Sequence, residues 1–83
     1  MSDASLVRSV LDGDPTAFAA LVDRHARVCL RFAMRMLGSR EDAEEATQET
    51  FLRAYRALAR YDERTSFRTW LMSILANRCR TAL

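Results

Sequence analysis

Apolar residues recur at intervals of three to four along nearly the whole chain, and no stretch alternates with a period of two. That pattern predicts helices and no strands. Leu6, Val7, Val10 and Leu11 share one side of a short helix over Asp3 to Leu11. Asp12-Gly13-Asp14-Pro15 then breaks the chain: Gly13 suits a left-handed cap, Asp14 an N-cap, and Pro15 the first position of the next helix. From Pro15 to Leu37, residues Phe18, Leu21, Val22, His25, Cys29, Phe32, Ala33 and Met36 fall on one face, and Gly38 closes the helix. Ser39, with Asp42 three positions on, resembles a capping box for a third helix running to about Arg60. Its predicted buried stripe is Ala43, Thr47, Phe51, Ala54, Tyr55 and Leu58. A polar segment, Tyr61 to Ser66, leads to a fourth helix with Ser66 as N-cap. Phe67, Trp70, Leu71, Ile74 and Leu75 form its buried side, while Thr69, Ser73, Ala76 and Arg80 face away.

The fold class is therefore all-α: one domain over residues 1–83, a compact bundle of about four helices. Two long antiparallel helices dominate it, joined by a short first helix and a C-terminal one. The last helix reaches Leu83 with no capping glycine, polar tail or proline stop, which predicts a domain belonging to a longer chain.

Charge adds more by its placement than by its sum. The net charge is only +2, and all thirteen basic residues are arginine, which a GC-rich coding genome explains better than selection for phosphate forks at every position. Four of the eleven acids lie between Glu41 and Glu45, whereas only arginines carry charge after Glu63. On the third helix, Asp42, Glu45 and Glu49 share one side with Arg53, Arg56 and Arg60 further along. Carboxylates in a first turn are favoured by the helix dipole, but Glu45 and Glu49 lie beyond it. Glu49 can pair with Arg53 four residues on. The outward face thus changes sign along one rod, and its acidic half is suited to a protein, its basic half to a polyanion. Arg53, Arg56 and Arg60 lead into Tyr61, Asp62, Glu63, Arg64, Thr65 and Ser66, with Arg68 following. Arginine for phosphate, a ring for stacking and short polar groups for base edges suit a single strand with unstacked bases. Arg24, Arg27, Arg31 and Arg35 make a second basic stripe, read as solvated surface.

Other chemistry is thin. Two cysteines are too few for a disulfide scaffold, and no Cys/His set has zinc spacing. His25 and Cys29 stand four apart in the middle of an apolar face and read as core, as do Tyr55 and Trp70. No catalytic triad, phosphate-binding glycine loop or HExxH is present, so neither an enzyme nor a cofactor or metal is expected. No apolar run suits a membrane span or a signal peptide, which points to the cytoplasm.

The ordered series Asp14-Pro15-Thr16-Ala17-Phe18, Leu21 to His25, Ala33 to Gly38, Arg40 to Glu45, Gln48 to Tyr55 and Phe67 to Leu71, with Ile74 and Asn77, resembles region 2 of extracytoplasmic-function sigma factors. The resemblance covers nearly the whole chain. It implies that Asp42, Glu45, Gln48 and Glu49 bind the β′ clamp coiled coil of core RNA polymerase. It further implies that Arg53, Arg56, Arg60 and Tyr61 help open promoter DNA. The loop Tyr61 to Ser66 and the face of the fourth helix, carrying Arg68, Thr69, Ser73, Asn77 and Arg80, would take the non-template strand of the −10 element with one base flipped out. An anti-sigma factor and a second, −35-reading domain are implied as well. The chain departs from the family at Ala46 and Thr47, where larger apolar residues are usual, at His25, where an aromatic is common, and at Thr81, where an acid is common. Two other readings stay open: a helical interaction module that never touches DNA, and a metal- or redox-sensing domain built on His25, Cys29 and Cys79.

Overall fold

A computed structural model describes residues 1–82 and contains four α-helices, α1 (Asp3–Leu11), α2 (Pro15–Leu37), α3 (Arg40–Ala57) and α4 (Phe67–Ala82), with a 3-10 turn over Leu58–Arg60. Their ends are chemically marked, as the sequence predicts. Asp14 Oδ1 accepts from the Thr16 N–H, Pro15 occupies the first turn, and Gly38 ends α2 at φ 70°. Ser39 Oγ accepts from the Asp42 N–H at 3.3 Å, while the return bond of a full capping box is absent among the described residues. Ser66 Oγ accepts from the Thr69 N–H at 3.1 Å and opens α4. The third helix stops being α-helical at Ala57. Three residues of tighter 3-10 turn follow, and the Tyr61 N–H closes on the Leu58 carbonyl at 3.1 Å. Arg60 therefore sits on that turn, not on the α-helix.

The two-residue connection between α2 and α3 makes them an antiparallel hairpin, with Phe18 near the start of α2 edge-on to Phe51 and Tyr55 late in α3. Helix α4 packs against both. It runs parallel to α2, since His25 meets Arg68 and Cys29 meets Met72, four residues further along each. Leu21, Leu58, Phe67, Leu71 and Leu75 form the large buried side chains at the centre, each contributing about 1.5–3 kcal/mol by leaving water.

The buried stripe of α3 differs from the expected one. Ala43, Thr47, Phe51, Ala54 and Leu58 are buried as predicted, but so are Ala46 and Thr50, and Tyr55 is 48% exposed. The stripe is rotated because α3 lies between α2 and α4 and must bury small residues toward both. Tyr55 is left at the edge, capping Phe18 from outside. Thr50 satisfies its hydroxyl on the Ala46 carbonyl at 2.8 Å. Trp70 is only half-buried, and Met36, expected on the apolar face of α2, is exposed. Both thiols are buried; burial pushes Cys29 up to about 11, opposed by Arg68, and raises Cys79 also. Stability tied to the Cys29 thiol is therefore present below about 9 and lost as pH rises toward about 11.

Thr47 Oγ1 is buried with no hydrogen-bond partner among the described residues. Thr47→Val keeps the shape, removes an unpaired hydroxyl, and should raise the unfolding free energy by about 1 kcal/mol. Urea unfolding of the two proteins checks this; an equal or lower midpoint for the valine variant would show that the hydroxyl is satisfied in solution.

Candidate nucleic-acid and protein interface

The acidic and basic halves of α3 do occupy one outward strip. Asp42, Glu45 and Gln48 are exposed and Glu49 is half-buried; Arg53 and Arg56 follow, and Arg60 is exposed on the 3-10 turn. Glu49 pairs with Arg53 at 3.1 Å, as its spacing predicts. A second cation, not foreseen among the site residues, lies beside it. Arg78 of α4, its side chain only 16% exposed, binds the Glu49 carboxylate through Nε and approaches Glu45 at 3.7 Å. Glu45 remains 72% exposed, so it is free to turn to a partner, whereas Glu49 is held by two guanidinium groups. The signal for Arg78 was present in the sequence. It continues the Phe67, Leu71, Ile74 stripe at helical spacing, and a charge on an apolar stripe implies a buried partner. Between these residues, Leu37, Asp42, Glu45, Arg78 and Ala82 line a recess of about 160 Å³.

At the other end the loop stands open. Asp62 to Ser66 are all exposed. The Thr65 N–H closes a turn on the Asp62 carbonyl at 3.1 Å, and the Tyr61 hydroxyl donates to the Thr65 carbonyl. Asp62 accepts from the Arg64 backbone at 2.9 Å and from its Nε and Nη2 at 2.8 and 2.6 Å. That fork holds the Asp62 carboxyl below its ordinary range and the Arg64 guanidinium above its own. The pair neutralises two charges expected to act separately. Glu63 reaches back to Arg8 of α1 at 3.1 Å, a surface pair worth little in energy that ties α1 to the loop.

Aromatic rings form the floor behind the loop. Tyr61 lies 5.0 Å from Trp70 and 5.8 Å from Phe67, centroid to centroid, and Phe67 is 5.8 Å from Trp70. Burial, then the Glu63, Asp3 and Asp62 carboxylates, push the Tyr61 phenol up. Thr69, Ser73, Asn77 and Arg80 project together from the exposed side of α4. Ser66 and Thr69 share a hydrogen bond at 2.8 Å, Ser73 bonds the Trp70 carbonyl at 2.6 Å, and Arg80 donates to Asn77 at 3.1 Å.

His25 is buried, as expected, but as a polar junction and not as plain core. Its Nε2 meets Asp3 of α1 at 2.9 Å, and its Nδ1 accepts from Arg68 Nε at 3.3 Å. Asp3 also binds Arg24 at 3.1 Å. This joins α1, α2 and the first turn of α4 directly beneath the loop. Nothing in the local pattern around Asp3 marks it for that contact. Among the described residues, no three His, Cys, Asp or Glu side chains come together to hold a metal ion, and no helix is long and apolar enough to cross a membrane.

Comparison with known proteins follows the same lines. Residues 21–83 match the family model described as Sigma-70 region 2. The sigma factor SigG of Mycobacterium tuberculosis is 44% identical over 66 residues, 80% of this chain and 18% of that protein. SigW of Bacillus subtilis is 38% identical over 71 residues, 86% of this chain and 38% of that protein. The chain thus spans well under half of these relatives. An engineered region 2 of sigmaE, solved in complex with GTAAAA, superposes with a TM-score of 0.90 at 35% identity, covering 99% of this chain and 85% of that one. CnrH, solved in complex with the cytosolic domain of CnrY, gives 0.81 at 36% identity over 95% of this chain and 51% of that one.

The Arg78–Glu49 pair sets an expected difference between two acids. Glu49→Ala leaves Arg78 largely buried without its carboxylate and should cost about 1–3 kcal/mol. Asp42→Ala loses only a helix-dipole contribution of about 0.3–1 kcal/mol. Urea denaturation separates them; equal losses would mean that the buried pair contributes nothing of its own.

Proposed function

The chain belongs to the sigma-70 region 2 family, and from that premise we propose that it directs core RNA polymerase to promoters as the −10-reading domain of an extracytoplasmic-function sigma factor. It acts as a specificity subunit without catalytic chemistry of its own, in the cytoplasm. Asp42, Glu45, Gln48 and Glu49 grip the β′ clamp coiled coil. Arg53, Arg56 and Arg60 anchor phosphates as the duplex opens. The loop Tyr61 to Ser66, with Arg68, Thr69, Ser73, Asn77 and Arg80, holds the non-template strand. Flipping one base out of the stack costs a few kcal/mol. An open loop over an aromatic floor, flanked by arginines, can offset that cost by stacking and phosphate contact. An anti-sigma protein is proposed as a regulator, and a −35-reading domain as a further part of the same protein; the greater length of the relatives supports the second.

The observation that carries this reading is the exposed strip of α3, acidic near Asp42 and Glu45, basic at Arg53 and Arg56, and ending in an uncovered loop. Asp42, exposed and outside every ion pair among the described residues, is the clean probe of polymerase contact. Glu45 is exposed but lies 3.7 Å from Arg78, so it is tested by neutralisation and not by reversal. Glu49 is no clean probe, because its reversal would also face Arg53 and Arg78.

Asp42→Arg and Glu45→Gln should each weaken binding to a β′ clamp coiled-coil fragment while leaving the circular dichroism melt nearly unchanged. With that fragment present, Arg56→Gln combined with Arg60→Gln should lower affinity for a −10-like single strand. The loss of two phosphate contacts should also reduce the slope of log K against log salt by about 1.4. Full oligonucleotide binding and an unchanged slope would leave those arginines as surface, and an absence of any binding would favour the protein-interaction module.

A further inference from the structure

Beyond the loop, a second basic surface is not absorbed by the reading above. On α2 the ion pairs stop at Arg24, which is held by Asp3. Arg27, Arg31 and Arg35 are exposed with no acidic partner among the described residues. They recur every four residues, so their stems rise about 6 Å apart along one side of the helix. Between α2 and α4, Val28, Arg31, Phe32, Arg35 and Met72 line an open groove of about 230 Å³. Its floor is the partly buried Phe32 and Met72, with the Met72 sulfur backed by the Cys29 thiol at 3.9 Å. Arg31 and Arg35 share the lining of this groove with Phe32.

Because α2 and α4 run parallel, this groove continues the line of the loop. Met72 lies six residues beyond Ser66 on α4, about 9 Å along the axis. Arg68, whose Nε is held by His25, stands between the two, with no partner on its Nη groups among the described residues. A polyanion leaving the loop would meet Arg68, then Arg31, then Arg35, in one direction and without an intervening carboxylate on α4.

We propose that this α2–α4 groove is a second single-strand site, which takes the nucleotides adjoining those held by the loop, with phosphates on Arg31 and Arg35 and one base against Phe32 and Met72. The inference rests on the −10 reading and extends it from a pocket to a track. Two features favour a nucleic-acid strand over an acidic amphipathic helix. A docking helix needs a row of apolar anchor sites at helical spacing, and the apolar lining of this groove is limited to Val28, Phe32 and Met72. The arginines are spaced like successive phosphates of an unstacked strand, with an aromatic surface between them that is indifferent to base identity. Recognition here is therefore expected to be independent of sequence.

The test compares a fluorescent GTAAAA hexamer with two 12-mers that extend it by six thymidines on the 5′ or the 3′ side. One extension should tighten binding several-fold. In an Arg31→Gln, Arg35→Gln variant the hexamer should bind as before, while the longer strand loses that gain and its salt slope falls by about 1.4. Phe32→Leu, which keeps the groove apolar, should reduce the gain without altering the slope. Neither extension helping, or equal losses for hexamer and 12-mer, would overturn the track while leaving the loop reading in place. No binding of any strand would overturn both. Unchanged strand binding with lost capture of the clamp coiled coil or of an anti-sigma protein would assign the groove to a protein instead.

Discussion

A helix packed between two others has only one strip left for solvent, and everything α3 does outwardly must be written on that strip. Contact with α2 on one side and α4 on the other is made through Ala43, Ala46, Thr50 and Ala54, all fully buried. Small side chains let backbones approach closely, and the larger Phe51 and Leu58 fill the space toward the far end. What remains exposed runs from Asp42 to Arg56 in a single line. Two opposite electrical surfaces are thereby fixed at a set separation along a rigid element, about 1.5 Å per residue.

The same packing brings the two working helices into electrical contact. Arg78 lies on the inner side of α4 and binds Glu49 on α3, next to Glu45. Its neighbours Asn77 and Arg80 face outward on the exposed side of α4. A partner that competes for Glu49 must therefore act on a residue rooted in α4. The pair is partly shielded from solvent, so salt screens it less than the surface pair Arg8–Glu63.

The loop shows a different economy. Between Asp62 and Ser66 nothing is buried, and its shape comes from local bonds: Tyr61 to Thr65, Arg64 to Asp62, and Ser66 to Thr69. Only its floor, Tyr61 with Trp70 and Phe67, belongs to the tertiary structure. Below that floor, His25 joins Asp3 to Arg68. Side chains above can thus differ between related chains without disturbing the base on which they stand.

Periodicity and capping chemistry determined where α2, α3 and α4 begin, because Asp14, Ser39 and Ser66 act on backbone groups two or three positions away, whereas the end of α3 falls at Ala57 and not at Arg60. The change of sign along α3 and the exposure of the loop were equally legible, since each depends on spacing within one element. What the chain could not reveal by itself was which edge of each apolar stripe would be covered. Tyr55 and Trp70, both expected inside, lie partly outside, while Thr50 lies fully inside. Likewise His25 with Asp3 and Arg68, Arg78 with Glu49, and the Arg31–Phe32–Met72 groove join residues about 20 to 40 positions apart. Local rules reach only one turn of helix; contacts between helices depend on how the rods are laid together, and that arrangement is decided by the folded core alone.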